Sequence, residues 1–385
     1  MTNPPPSSNP RPWIPFNRPV WVGTEIERIT EAITVHGHVA GAGPFGARCE
    51  ELLTRELGRP TLLVSSCTHA LEMAALLLEL GPGDEFIVPA FAFVSTANAF
   101  VLRGARPVFA DVDADGQLDP GEVARLKGPR TRAVVVIHYA GNSGDLRRLA
   151  DAAGQVPIVE DAAQSLGARF DGRPLGAFGV CAAISFHETK NIGCGEGGAI
   201  ALSDPRLVER AEVLREKGTN RRRFASGLVD KYTWVDVGSS WVLSDLNAAY
   251  LFAQLEARER IQARRTEQFE RYRAALVEAV ERAGGAIVRP HPLNASNHHL
   301  FAIVFRRPEE RERYIAFMRG HRIVAPFHYV SLHLSEMGRR FHDGRALPES
   351  ERLTARLVRL PLHFNLADAE QEEVIGRTRE FLDGL

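Results

Sequence analysis

The residues best suited to covalent chemistry lie in Ser185-Phe-His-Glu-Thr-Lys190-Asn-Ile-Gly-Cys-Gly-Glu-Gly-Gly198. The apolar run 180–184 predicts a strand that delivers Ser185, then Lys190, then a loop with four glycines. Lysine resists burial, so one set between a buried strand and a glycine-rich turn can have a depressed pKa and attack a carbonyl as a neutral amine. Taken alone, the stretch reads equally well as a loop with a surface lysine. Val156-Pro-Ile-Val-Glu-Asp161-Ala-Ala-Gln164 breaks the tie: it predicts an apolar strand that ends in a carboxylate, with an amide three residues on. Ligands of open α/β sheets gather beyond the carboxyl ends of the strands. A strand-end aspartate, a strand-end serine and a nearby lysine match the needs of pyridoxal 5'-phosphate. The carboxylate keeps the pyridine nitrogen protonated, so the ring serves as an electron sink, and the amine forms the Schiff base.

Elements that would position these groups follow in order. Residues 22–35 predict an amphipathic helix. Gly41, Gly43 and Gly46 spell GxGxxG, but no strand precedes them, and a loop is the better reading than a dinucleotide site. Residues 61–66 predict a strand that turns through Cys67-Thr68-His69 into a helix over 70–80. Free backbone N–H groups at such a helix start suit a phosphate, although an ordinary N-cap by Ser66 or Thr68 explains the pattern as well. Cys67 has no activating partner and reads as a spectator thiol. Residues 85–89 predict the next strand, and 90–98 then enter a helix; an aromatic just past a strand end can stack on a pyridine ring. Strand–helix alternation continues to about residue 201, which implies a doubly wound, mainly parallel sheet. Asp113-Ala-Asp115 lacks the ligand set of a calcium loop and reads as a turn. Residues 243–283 form one long helical pattern, broken at Gly284-Gly285. Strands at 286–289 and 300–305, and helices at 309–319 and 369–382, predict a smaller α+β domain. The expected organisation is a tail over 1–13, a large domain over 14–243, a linking helix over 244–283 and a small domain over 284–385.

The chain has 385 residues, 44% hydrophobic and 25% charged, with a net charge of −1, so bulk electrostatics imply neither nucleic acid nor membrane as a partner. Its four cysteines lack CxxC spacing, which suits reduced thiols in the cytoplasm. The proline-rich tail has no apolar core of a signal peptide, and Glu72 and Glu79 interrupt the most apolar helix. Cys181, His187 and Cys194 match no common zinc spacing, so no metal is expected.

The words Phe-His-Glu-Thr-Lys190-Asn, Glu-Asp161-Ala-Ala-Gln164, Pro-Phe-Asn-Arg-Pro near residue 15 and Val-Ser-Thr-Ala-Asn98-Ala-Phe-Val-Leu-Arg-Gly carry a resemblance that runs from about residue 14 to the C-terminus. The chain resembles the DegT-type sugar-nucleotide aminotransferases, within the fold-type I pyridoxal phosphate enzymes. Its nearest likeness is to the branch that acts on TDP-4-keto-6-deoxyglucose at the 4-position. The resemblance implies a seven-stranded, mainly parallel sheet and a homodimer with the site between subunits. It also implies a cycle in which L-glutamate leaves pyridoxamine 5'-phosphate, whose amine passes to a TDP-sugar. By this likeness Thr68, His69 and Ser185 approach the phosphate, Phe93 stacks on the ring and Gln164 meets the ring oxygen. The family's cross-subunit phosphate ligand is missing here, with Ser240 as its candidate replacement. His187, Arg221, His328 and Tyr329 become candidate substrate neighbours; Arg221 heads three adjacent arginines that can pair with a diphosphate or stand in solvent. Other outcomes on the same scaffold are a 3-keto-sugar aminotransferase and a non-catalytic cofactor-binding protein. A sugar dehydratase is disfavoured, because in such relatives a histidine replaces the lysine.

Overall fold

A computed structural model describes residues 12–385. Most of the expected tail, residues 1–11, lies outside the described residues. Helices α1 (Glu25–Thr34) and α2 (Pro44–Leu57) precede β1 (Thr61–Val64). There follow α3 (Cys67–Leu77), β2 (Glu85–Pro89), α4 (Val94–Val101), β3 (Arg106–Ala110), α5 (Pro120–Leu126), β4 (Thr131–Ile137), α6 (Leu146–Ala153) and β5 (Ile158–Asp161). A short hairpin, β6 (Arg169–Phe170) and β7 (Arg173–Pro174), leads to β8 (Cys181–Ser185), β9 (Gly198–Leu202), α7 (Pro205–Arg215) and α8 (Arg221–Ala225).

The large sheet has seven strands in the order β1-β9-β8-β5-β4-β2-β3. Strand β9 runs antiparallel to both neighbours, and every other neighbouring pair is parallel. Both faces are covered, which is why these strands read as continuous apolar runs. Successive side chains point to opposite faces. Thus Leu62 and Val64 join one core and Leu63 another, while Ala133, Val135 and Ile137 separate from Val134 and Val136. The strand expected from 156 begins at Ile158, after Pro157, which has no N–H for a ladder.

The helix expected over 22–35 spans Glu25–Thr34. The single long helix expected over 243–283 is two: α9 (Asp245–Glu256), capped by Ser244, and α10 (Arg258–Arg282), with the break at Ala257. Helix α9 buries Ala248, Leu251 and Leu255 with α2, whereas α10 buries Phe269, Tyr272, Leu276 and Val280 in a separate C-terminal core. One straight axis does not serve both. That second core also holds α11 (Pro308–Gly320), α13 (Asp368–Asp383) and one face each of β12 (Phe301–Val304) and β13 (Leu357–Leu360), whose Ala302, Val304 and Leu357 instead join the core of Leu62 and Val64. Strand β10 (Ala286–Ile287) is shorter than expected and completes a three-stranded sheet with β12 and β13; β11 (Asn294–Ala295) pairs with β6, and α12 (Pro348–Arg356) leads into β13.

Candidate active site

A cavity of about 740 Å³ opens beyond the carboxyl ends of β5 and β8 and against the start of α3. Asp161, Gln164, Ser185, His187 and Lys190 all line it. Strand β5 ends on Asp161 and pairs with β8, which ends on Ser185, so strand geometry brings both side chains to one rim. A tight turn then returns Lys190, whose N–H donates to the His187 carbonyl at 2.9 Å.

Burial holds the Lys190 ammonium below its ordinary pKa, against the pull of Cys67 and Asp161. Its Nζ has neither a hydrogen bond nor an ion pair among the described residues. Asp161 is buried, and burial pushes its carboxyl above the usual range. Thr96 Oγ1 donates to its Oδ2 at 2.6 Å and the Ala163 N–H to its Oδ1 at 3.1 Å, both favouring the anion. A desolvated carboxylate with neutral donors and no adjacent arginine is suited to a cationic partner such as a pyridinium nitrogen.

Ser66 caps α3 by accepting from the His69 N–H at 3.1 Å, and Ser66, Cys67 and Thr68 face the cavity. The helix start thereby turns N–H groups and its positive dipole end toward the cavity. A Cβ on Gly198 would stand 2.4 Å from the Ser66 carbonyl carbon, so only glycine lets β9 pass this close. The Thr68 hydroxyl donates to Ser95 Oγ at 2.9 Å, placing a second serine at this end. Cys67 is half-buried at the cavity wall, and desolvation pushes its thiol pKa well up, which suits a spectator.

The opposite side comes from the C-terminal half of the chain. Gln164 Nε2 donates to the Tyr329 hydroxyl at 2.8 Å, while its Oε1 accepts from the Ala140 N–H at 2.8 Å. Tyr329 and His328 stack with centroids 3.7 Å apart, and burial keeps the phenol protonated and the imidazole neutral. His299 is held neutral in the same way, with Nδ1 2.8 Å from Asn191 Oδ1.

Other sequence candidates stand differently. His69 turns away from the cavity: its ring stacks on Trp241 at 5.7 Å and its Nδ1 meets Ser65 Oγ at 2.8 Å. Phe93 precedes α4 at the cavity mouth, is 56% exposed and lies 6.4 Å from the Tyr329 ring. Ser240 is exposed and bridges to Glu216, outside this chain's cavity lining. Arg221 is likewise outside it, 3.6 Å from the Glu216 carboxylate. The cavity adds residues that sequence reasoning passed over: Thr96, Ser95, His299 and Arg359.

These groups fit pyridoxal phosphate: an unpartnered amine, a buried carboxylate without a cation of its own, and a helix start with serine and threonine hydroxyls. Residues 22–379 match the DegT/DnrJ/EryC1/StrS aminotransferase family. The chain belongs to that family. Among solved structures, the aminotransferase TlmJ from Streptoalloteichus hindustanus is 32% identical, with a TM-score of 0.89 over 97% of this chain and 99% of that one. DesV from S. venezuelae is 29% identical, with a TM-score of 0.88 over 97% and 99%. The sugar aminotransferase Spr1654 from Streptococcus pneumoniae, in its PLP form, shares the fold at 24% identity and a TM-score of 0.87, over 97% and 99%. As a DegT-family enzyme this protein is a PLP-dependent sugar aminotransferase. No described helix is long and apolar enough to cross a membrane.

Proposed function

We propose that this enzyme transfers the amino group of L-glutamate to the 4-keto carbon of a TDP-4-keto-6-deoxyhexose, TDP-4-keto-6-deoxy-D-glucose. The products are 2-oxoglutarate and a TDP-4-amino-4,6-dideoxyhexose. The carrying observation is that His187 and Lys190, Asp161 and Gln164, Phe16 and Asn17, and Ser95 and Thr96, from the four stretches that carry the likeness to the 4-aminotransferase branch, line one cavity.

When bound, the cofactor supplies an aldehyde for the amine and a ring that takes up electron density. Asp161, whose anion the Thr96 hydroxyl and the Ala163 N–H favour against burial, would face its ring nitrogen. Gln164 and Tyr329 would border the ring oxygen, and Ser185, Thr68 and the start of α3 would hold the phosphate, with Phe93 at the mouth. Lys190 takes the proton from the donor's α-carbon and returns it at the other end of the transfer, a role that burial supports by favouring the neutral amine. His187, with Nδ1 2.8 Å from Thr189 Oγ1, orients this loop.

Residues 14–243 form the large domain in this reading, 244–283 the link and 284–385 the small domain. The enzyme is a cytoplasmic homodimer, in keeping with four free cysteines and with the exposed Phe224, Tyr232, Trp234 and Val237 beside Ser240. Ser240 and Arg221 then serve the partner's site. Incubation of purified enzyme with pyridoxal phosphate, glutamate and TDP-4-keto-6-deoxyglucose tests the reading. A 4-amino sugar nucleotide is expected. Turnover of a 3-keto isomer alone would move the assignment to the 3-position, and a cofactor spectrum that glutamate leaves unchanged would remove transamination from glutamate.

A further inference from the structure

Among the described residues, Arg359 is the sole arginine that lines the cavity. It sits in β13, alone among Leu357, Val358 and Leu360, with its side chain on the cavity side rather than in the apolar core. Its one side-chain hydrogen bond among the described residues runs from Nη2 to the Phe327 carbonyl at 2.9 Å. Among the described residues its buried Nε has no partner, and no carboxylate pairs with it. The Phe16 ring lies 4.3 Å from its Cζ, so one face of the guanidinium is covered. Arg215 is buried and also has an unpartnered Nε, but it has an anion: it pairs with Glu50 at 2.5 Å and donates to the Leu63 carbonyl. Leaving a desolvated guanidinium without an anion is costly unless a ligand supplies one.

We propose that Arg359 is the carboxylate anchor for the amino donor, with Phe16 as its positioning residue. This rests on the glutamate-dependent reading above. The phosphate end of the cavity belongs to α3 and the large sheet, whereas Arg359 arrives from the C-terminal sheet. Nη1 makes no hydrogen bond among the described residues, so the end-on edge of Nη1 and Nη2 offers planar donors to a carboxylate. Arg359 and Lys190 line the same cavity, so the guanidinium and the reacting amine share one enclosure. His299, His328 and Tyr329 are neutral there and do not compete for the anion.

The test uses holoenzyme and the variants Arg359→Gln, Arg359→Lys and Phe16→Ala, with thermal unfolding as the check on folding. Two half-reactions are followed separately: release of 2-oxoglutarate from glutamate, and amine transfer from enzyme loaded with pyridoxamine phosphate to the sugar nucleotide. Loss of a charged, paired hydrogen bond is expected to raise the glutamate KM of Arg359→Gln by roughly 30-fold or more. Arg359→Lys should recover part of this, Phe16→Ala should show a smaller rise, and the sugar half-reaction should move far less. Glutarate, an inert dicarboxylate, should bind the wild-type holoenzyme by calorimetry and fail to bind Arg359→Gln. Equal glutarate binding by the two, no binding by wild type, or a defect confined to the sugar half-reaction overturns the proposal; the last result would give the guanidinium to the diphosphate. A wild-type enzyme that binds glutarate through Arg359 but releases no 2-oxoglutarate from glutamate would overturn the functional reading instead.

Discussion

The hydroxyl of Thr96 donates a 2.6 Å hydrogen bond to Oδ2 of Asp161, and both side chains are buried. The contact ties the first turn of α4 to the carboxyl end of β5. It also opposes the burial that pushes the Asp161 carboxyl up. A hydrogen bond to a charged group is worth about 1.5–3 kcal/mol. Thr96→Val is therefore expected to weaken cofactor binding by roughly ten- to a hundred-fold. Thr96→Ser, which keeps the hydroxyl, should stay near wild type. Absorbance titration of apoenzyme with pyridoxal phosphate checks both.

Gln164 and Tyr329 join the large sheet to the C-terminal segment through one 2.8 Å hydrogen bond. Tyr329→Phe removes the acceptor and leaves a buried amide N–H unpaired, a loss of about 1–3 kcal/mol. The rate is expected to fall about ten-fold or more while the covalently held cofactor remains. Steady-state rates beside the cofactor absorption band separate these effects. Loss of the band would assign the pair to cofactor retention instead.

His363 is buried, with Arg18 and Arg265 nearby, and burial followed by those cations lowers its pKa to about 4. The unfolded imidazole titrates near 6.5. Above 6.5 both states are neutral and the full stability is present. As pH falls from 6.5 toward 4 the unfolded chain takes up a proton that the folded chain refuses, and stability is lost, by about 3 kcal/mol in all. Urea unfolding of wild type and His363→Gln at pH 7 and pH 5 checks this. The wild type is expected to lose more stability between the two than the variant.

Much of the site was legible because strand ends are legible. Asp161 and Ser185 each close an apolar run, and the rule that ligands gather at carboxyl ends sufficed to place them on one rim. Lys190 follows from the same logic. Resolution failed at the scale of a single residue on a helix, where neighbours point about 100° apart. Thr68 and His69 share one motif, yet Thr68 faces the cavity and His69 stacks on Trp241. Thr96 lay inside a motif quoted for its likeness, and its position one turn into α4 was the signal that it faces the same rim. Arg359 gave only a lone charge within an apolar strand, which does not say what the charge faces. The break at Ala257 was hidden because helix-forming residues continue across it; the two separate cores that α9 and α10 serve become visible only in three dimensions.

Substitution of the amine gives a sharp expectation. Lys190→Ala should lose turnover entirely and keep its fold, since Nζ makes no hydrogen bond or ion pair among the described residues that the fold would miss. Circular dichroism and thermal unfolding close to wild type, with no amino-sugar product, are the expected pair of results. Wild-type rates would assign the chemistry elsewhere.

The chain contains four lysines, Lys127, Lys190, Lys217 and Lys231. Borohydride reduction of the enzyme with pyridoxal phosphate, followed by peptide mass mapping, asks directly which of them carries the cofactor. A single adduct on the peptide containing Lys190 is expected, and it should be lost or sharply reduced in the Thr96→Val variant at limiting cofactor. An adduct on Lys127, Lys217 or Lys231 with Lys190 unmodified would contradict the account.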